Sequence, residues 1–254
     1  MTSYIKRKIL KKSGNSSEEI EDHVAVEKRL RISVNGKEVI SLYCTPLMIK
    51  ELVAGFFLTE GILAGQFCLD EIVIKHLAEE IAVEVPAEGE VGAAGLTVTS
   101  GCAGGITFHN KMVLEKTTDT FSIKASSIEA AFAGFQKMGG LYRLTGCVHS
   151  AALSDGVKIL AFAEDIGRHN AVDKVIGYSI LEEIPFTEKI LLASGRLSSE
   201  IAAKCSRWGI PVLASRTAPT DLAIKIAEES GVTLIGFIRG KRMNIYTNKH
   251  RILL

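Results

Sequence analysis

The chain has 254 residues, 30 Lys and Arg against 29 Asp and Glu, and 47% hydrophobic residues. That length suits one large domain or two modest ones with real cores, and a formal charge of +1 gives no bulk drive toward nucleic acid or acidic membranes, so anion binding has to be local. The longest apolar runs, such as 52–58, fall far short of the roughly 20 residues a bilayer span needs, the N-terminus lacks a signal-peptide core, and five scattered cysteines with no Cys-x-x-Cys pair suit a cytoplasmic protein with reduced thiols rather than a disulfide framework or four-thiolate zinc site.

Residues 1–20 are basic clusters followed by Ser-Gly-Asn-Ser-Ser-Glu-Glu, too polar to bury, and are expected to form a flexible or peripheral arm. A β-rich region is predicted over 21–122. Two alternating runs, Val26 to Val34 and Lys37 to Leu42, flank Asn35-Gly36, which predicts a hairpin. Thr45-Pro46 then supplies a cap and first-turn proline for a helix running to Gly61. Ile72 to Leu77 and Ile81 to Val85 read as short strands, and the glycine-rich stretch Val91 to Gly105 reads as a mobile loop or as a plain permissive turn.

From 123 to 254 the rhythm becomes that of an α/β domain. Ser126 to Glu129 resembles a capping box opening a helix to Met138, and helices are predicted over 170–181, 198–208 and 219–229. Strands are predicted over 157–163, 190–193, 211–214 and 232–238, which makes a mostly parallel sheet covered by helices. Functional residues are then expected beyond the carboxyl ends of those strands.

Cys102 stands apart from the other cysteines because small residues flank it in a polar loop, as a nucleophilic or sulfur-bearing thiol requires. The bland alternative is a small filler in a turn. Cys44, Cys68 and Cys205 adjoin apolar periodic positions and read as packing residues, whereas Cys147, two residues before His149, suits burial and a secondary reactive role equally. Arg168 and His169 lie where a strand gives way to a helix, and Arg196 repeats the arrangement after the next strand. Helix N-terminal amides plus a guanidinium favour phosphate or carboxylate, although Asp165 or Asn170 can also simply cap the helix and His169 can be an ordinary core or surface histidine. Phe237, Ile238, Arg239, Gly240, Lys241 and Arg242 put three cations round a glycine at a strand end, which is either a solvated turn or a phosphate clamp. Zinc-deaminase ligands, a Walker loop and a dinucleotide glycine fingerprint are missing from the sequence.

Thr99 to Gly105, Thr145 to Leu153, Glu164 to Lys174, Ser194 to Glu200 and Gly209 to Ser215 together resemble the FdhD/NarQ family, the formate dehydrogenase accessory sulfurtransferases. The likeness spans about 24–247, and Asp165-Ile-Gly-Arg-His-Asn-Ala-Val-Asp-Lys174 is its most specific part. The resemblance implies a cytoplasmic homodimer with a cytidine-deaminase-like α/β domain and an added N-terminal region. It implies a persulfide taken from a cysteine desulfurase onto Cys102 and passed to the molybdenum cofactor, bis-molybdopterin guanine dinucleotide, for formate dehydrogenase. It also implies a cofactor-binding stretch at Phe237 to Arg242; with the zinc ligands missing from the sequence, no metal of the protein's own is expected. Many members carry a second cysteine where this chain has Gly105, so a disulfide within the loop is unavailable, and many carry glycine where this chain has Cys147. Two other readings compete: a chaperone that binds the cofactor without moving sulfur, and a nucleotide hydrolase on a deaminase-like sheet.

Overall fold

In the computed structural model, which describes residues 2–61, 69–88, 96–98, 106–108 and 120–254, the chain opens as an antiparallel ribbon of β1 (Tyr4–Ser13) and β2 (Ser16–Ala25). Regular pairing goes beyond the flexible or peripheral arm expected of residues 1–20. Apolar burial is not what pairs these strands. The register sets Arg7 opposite Asp22, Lys8 opposite Glu21 and Lys11 opposite Glu18, and Lys6 makes a 2.8 Å ion pair with Glu21. A basic strand folds back on an acidic one, and opposite charges across a ladder stabilise it where composition alone shows only polarity.

β3 (Lys28–Val34) and β4 (Lys37–Cys44) form the expected hairpin, with Asn35 and Gly36 at φ 49° and 79° as a two-residue turn of this kind demands. α1 (Ile49–Glu60) ends at Gly61 as expected, but it begins after a left-handed Met48 instead of at Thr45, whose polar groups are engaged elsewhere. β5 (Val73–His76) and β6 (Glu80–Val85) complete a four-stranded sheet, order β4-β3-β6-β5, which closes on α1 through Leu30, Ile32, Val83, Leu52 and Phe57. β7 (Leu96–Val98) pairs antiparallel with β8 (Ile106–Phe108), Val98 opposite Ile106.

β9 (Ile123–Lys124), α2 (Ala125–Met138) and α3 (Gly140–Thr145) precede the main sheet. The sheet is built from β10 (His149–Ser154), β11 (Ile159–Asp165), β12 (Ile190–Ala193), β13 (Val212–Ser215), β14 (Thr233–Arg239) and β15 (Arg242–Ile245). Between these strands run α4 (Arg168–Leu181), α5 (Ser199–Arg207) and α6 (Asp221–Ser230), and β16 (Ile252–Leu253) pairs with β9 near the C-terminus. The sheet order is β11-β10-β12-β13-β14-β15. β11, β12, β13 and β14 point the same way, while β10 and β15 run against them, so the sheet is mixed with a parallel centre. Sequence reading missed β10 because His149 to Ser154 contains no β-branched residue. The helix over 125–138 starts from Lys124 with no side-chain cap, so the expected capping box does not form.

Side chains alternate across this sheet. Leu153, Leu191, Leu213 and Leu234 pack under α4, α5 and α6, whereas Ala152, Leu192, Ala214 and Ile235 pack against Phe132 and Phe135 of α2. The two halves of the molecule meet where α1 crosses α4. A Cβ on Gly55 would lie 1.9 Å from the Asp173 carbonyl oxygen, and one on Gly177 would lie 1.9 Å from that of Glu51. Only paired glycines permit this approach of backbones. Among the described residues no helix is long and apolar enough to cross a membrane.

Candidate functional site

Because β11, β12, β13 and β14 are codirectional, the loops that follow them emerge at one edge of the sheet. Each delivers an arginine there: Arg168 after β11, Arg196 after β12, Arg216 after β13 and Arg239 ending β14, with Lys241 and Arg242 just beyond. The carboxyl edge is thus lined by cations, next to the N-termini of α4, α5 and α6, whose dipoles add partial positive charge, the Ala223 N–H of α6 being capped by Thr220. Arg216 was missed in the sequence, although it stands directly after a strand as the others stand close to theirs.

The edge is closely built. His149 opens β10 opposite Asp165. A Cβ on Gly195 would sit 3.1 Å from His149 Nδ1 and 3.2 Å from Arg168 Cβ, so a glycine lets the β12 loop nest between them. The Ser194 hydroxyl accepts the Ser150 N–H at 2.9 Å and lies 3.5 Å from His149 Nδ1, which orients the ring. Burial depresses the His149 pKa, and the neighbouring Arg168 and Arg196 guanidinium groups push it further down, so the ring is neutral near pH 7. Arg168 is mostly buried while Arg196 and Arg216 are exposed.

His169 faces away from solvent. Its Nε2 lies 3.1 Å from Ser198 Oγ and 3.8 Å from Glu200 Oε2, and burial, then Lys204 and Arg168, bring its pKa down to about 3. It ties α4 to α5 as a neutral ring. In the stretch 237–242, Phe237 takes φ 55° and donates its N–H to the Thr217 carbonyl, and Ile238 is buried in the core with Ile235 and Phe132. These two anchor the turn; Arg239, Lys241 and Arg242 are exposed, with Gly240 at φ 58° between them.

Cys102 and Cys68 lie outside the described residues. Cys44 and Cys205 are fully buried, as packing residues should be. Burial raises both thiols, with Asp165 adding to the effect on Cys44, which rises to about 12. Cys147 is exposed at the same edge, two residues before His149.

The segment 165–174 does two jobs that its sequence does not separate. Asp165 and Lys174 form a 2.6 Å ion pair, both fully buried, and Thr45 of the N-terminal half joins them through its N–H and hydroxyl. Asn170 donates to Asp165 and to the Tyr43 carbonyl. Asp173 holds Lys204 at 2.6 Å, Lys204 reaches Glu60 of α1 at 3.1 Å, and Thr59 donates to Asp173. So Arg168 serves the edge, while Asp165, Asn170, Asp173 and Lys174 clamp β4 and α1 to the sheet.

In that clamp one lysine sits between two carboxylates. Burial pushes the Asp173 pKa up to about 6, with the Glu60 charge adding to it against the pull of Lys204, and the two carboxylates hold Lys204 charged. An acid whose folded pKa is raised contributes stability below its unfolded value near 3.9, lost as pH rises through the folded value. Urea unfolding should therefore show the wild type losing stability relative to Asp173→Asn as pH rises from about 4 to about 6. A constant difference across that range would contradict the assignment.

Comparison with known proteins adds three findings. The FdhD/NarQ family model matches residues 25–253. The sulfur carrier protein FdhD of Bacillus pumilus is 36% identical over 237 residues, covering 91% of this chain and 90% of that protein. Its Bacillus subtilis namesake is 35% identical over 239 residues, covering 92% and 91%. The crystal structure of a formate dehydrogenase accessory protein from Desulfotalea psychrophila superposes with a TM-score of 0.81 at 27% identity, over 99% of this chain and 100% of that one.

Proposed function

The chain belongs to the FdhD/NarQ family, and from that premise we propose that it is a cytoplasmic sulfur carrier serving formate dehydrogenase, with Cys102 as the carrying thiol and the molybdenum cofactor as recipient. The Cys102 thiolate attacks the terminal sulfur of a cysteine desulfurase persulfide. The donor S–S bond breaks, a new one forms on Cys102, and the donor leaves as thiolate, so the exchange is redox-neutral. An electron-pair donor on the recipient then attacks the terminal sulfur, the Cys102 S–S bond breaks, and the sulfur passes on at the sulfane level while Cys102 leaves as thiolate. With Gly105 in place of a second loop cysteine, the single thiol acts alone.

The observation that carries the cargo half of this reading is the convergence of Arg168, Arg196, Arg216, Arg239, Lys241 and Arg242 on one sheet edge beside three helix N-termini. A guanine dinucleotide form of the cofactor is a polyphosphate, and such an edge suits its pyrophosphates. His149, neutral and oriented by Ser194, adds a ring that can hydrogen-bond a ligand without adding charge. Replacing Arg239 or Arg242 by alanine should weaken binding of a guanine nucleotide by about 1 to 3 kcal/mol each, the value of a charge-assisted hydrogen bond, in titration calorimetry. Unchanged affinity in both variants would remove the nucleotide from the 239–242 turn.

A further inference from the structure

We propose that the outer edge of β1 is a docking strand for an extended, acidic segment of a partner protein, which adds to the ribbon as its third strand. This surface is separate from the cargo edge and does not depend on how the cofactor is bound. Among the described residues β1 pairs with β2 alone, so one side of a ten-residue strand keeps its backbone N–H and C=O groups unpaired, and every residue from Ile5 to Ser13 is exposed. Such an edge is a template for strand addition.

Its charge selects the visitor. β1 carries Lys6, Arg7, Lys8, Lys11 and Lys12 and no acid. Although β2 runs alongside with Glu18, Glu19, Glu21 and Asp22, Lys6 alone of these five cations lies within ion-pair distance of a carboxylate among the described residues. Arg7, Lys8 and Lys11 stand opposite acids of β2 in the register but beyond ion-pair distance, and Lys12 donates to the Gly14 carbonyl, so all four keep an exposed charge with no carboxylate at ion-pair distance among the described residues. Pairing β1 with β1 of a second copy would set cation against cation, a like-charge ladder that disfavours self-association. The acidic strand β2 is the one that lies against α3. An acidic strand from another protein satisfies both the backbone and the charges. It also meets a need of the ribbon, because a two-stranded hairpin is marginal by itself in water, and one face of this one leaves Ile5, Ile9 and Val24 about two-fifths exposed.

The test uses the full-length protein and a labelled synthetic peptide of about ten residues alternating Glu with Val and Thr. Two controls are the same peptide with Lys for Glu and an acidic version interrupted by two prolines, which keeps the charge but cannot pair as a strand. The acidic strand peptide should bind at least about tenfold more tightly than either control, slow amide exchange across residues 4–13, and lose at least about tenfold on Lys8→Glu/Lys11→Glu. Should that double variant lose the ribbon, the three peptides on the wild type still decide. Absence of binding, equal binding of the proline peptide, or protection outside β1 overturns the proposal. So does sedimentation showing a dimer of the free wild type that Lys8→Glu/Lys11→Glu dissolves, since a second copy then holds the edge.

Discussion

Replacing Cys102 by alanine should abolish sulfur transfer and formate dehydrogenase activation while leaving unfolding and guanine-nucleotide affinity unchanged. The expectation rests on the sequence around Cys102 and, among the described residues, on elimination; Cys68 lies outside them. Cys44 and Cys205 have no exposed surface and carry thiols raised by burial, so they supply neither access nor thiolate. Cys147 is the exposed alternative among the described residues. It follows the αL turn at Gly146 and precedes His149, close to the cation-lined edge. Assayed side by side, Cys102→Ala should be inactive and Cys147→Ala active. The reverse pattern would move the carrier to Cys147.

Lys204→Met should cost about 3 to 5 kcal/mol near neutral pH, the penalty for leaving buried carboxylates without their cation. Methionine keeps the length of the chain but leaves Asp173 and Glu60, both at most 8% exposed, facing each other beneath α1. Acidification should shrink the loss, because a carboxyl already raised to about 6 takes up its proton there and removes the repulsion. Denaturant unfolding at about pH 7.5 and pH 5.5 reads both effects. A loss below about 1 kcal/mol, or one equal at the two pH values, would show that the clamp does not join the two halves.

Much of this fold is legible in the sequence, and the residues show why. Asn35-Gly36 needs positive φ twice, which few structures but a hairpin supply, and Gly61 closes α1 as a helix-ending glycine does. The α/β alternation after 123 stands out because its strands are short apolar runs between helical periods. What stayed hidden depends on partners far along the chain. The pairing of β1 with β2 is a matching of charges that composition averages away. β10 is a central strand with weak strand propensity, held by neighbours on both sides. Thr45 resembled a helix cap until Asp165 and Lys174, more than a hundred residues later, took its polar groups.

The site divides in the same way. Cations after strands could be located from sequence, since topology places every such loop at one edge. That His169 turns inward to Ser198 and Glu200, or that most polar residues of the 165–174 segment clamp the N-terminal half, could not, because a run of polar residues does not say which way each side chain faces. Gly55 and Gly177 gave no signal either, as close helix crossing shows only once both helices are in place.

Mass spectrometry of the intact protein after incubation with a cysteine desulfurase and cysteine tests the sulfur-carrier reading most directly. The account predicts a reductant-labile gain of about 32 Da, one sulfur atom, mapped to the peptide containing Cys102 and missing from Cys102→Ala. An unmodified Cys102 in protein that still activates formate dehydrogenase would contradict it and leave a chaperone that holds the cofactor without moving sulfur.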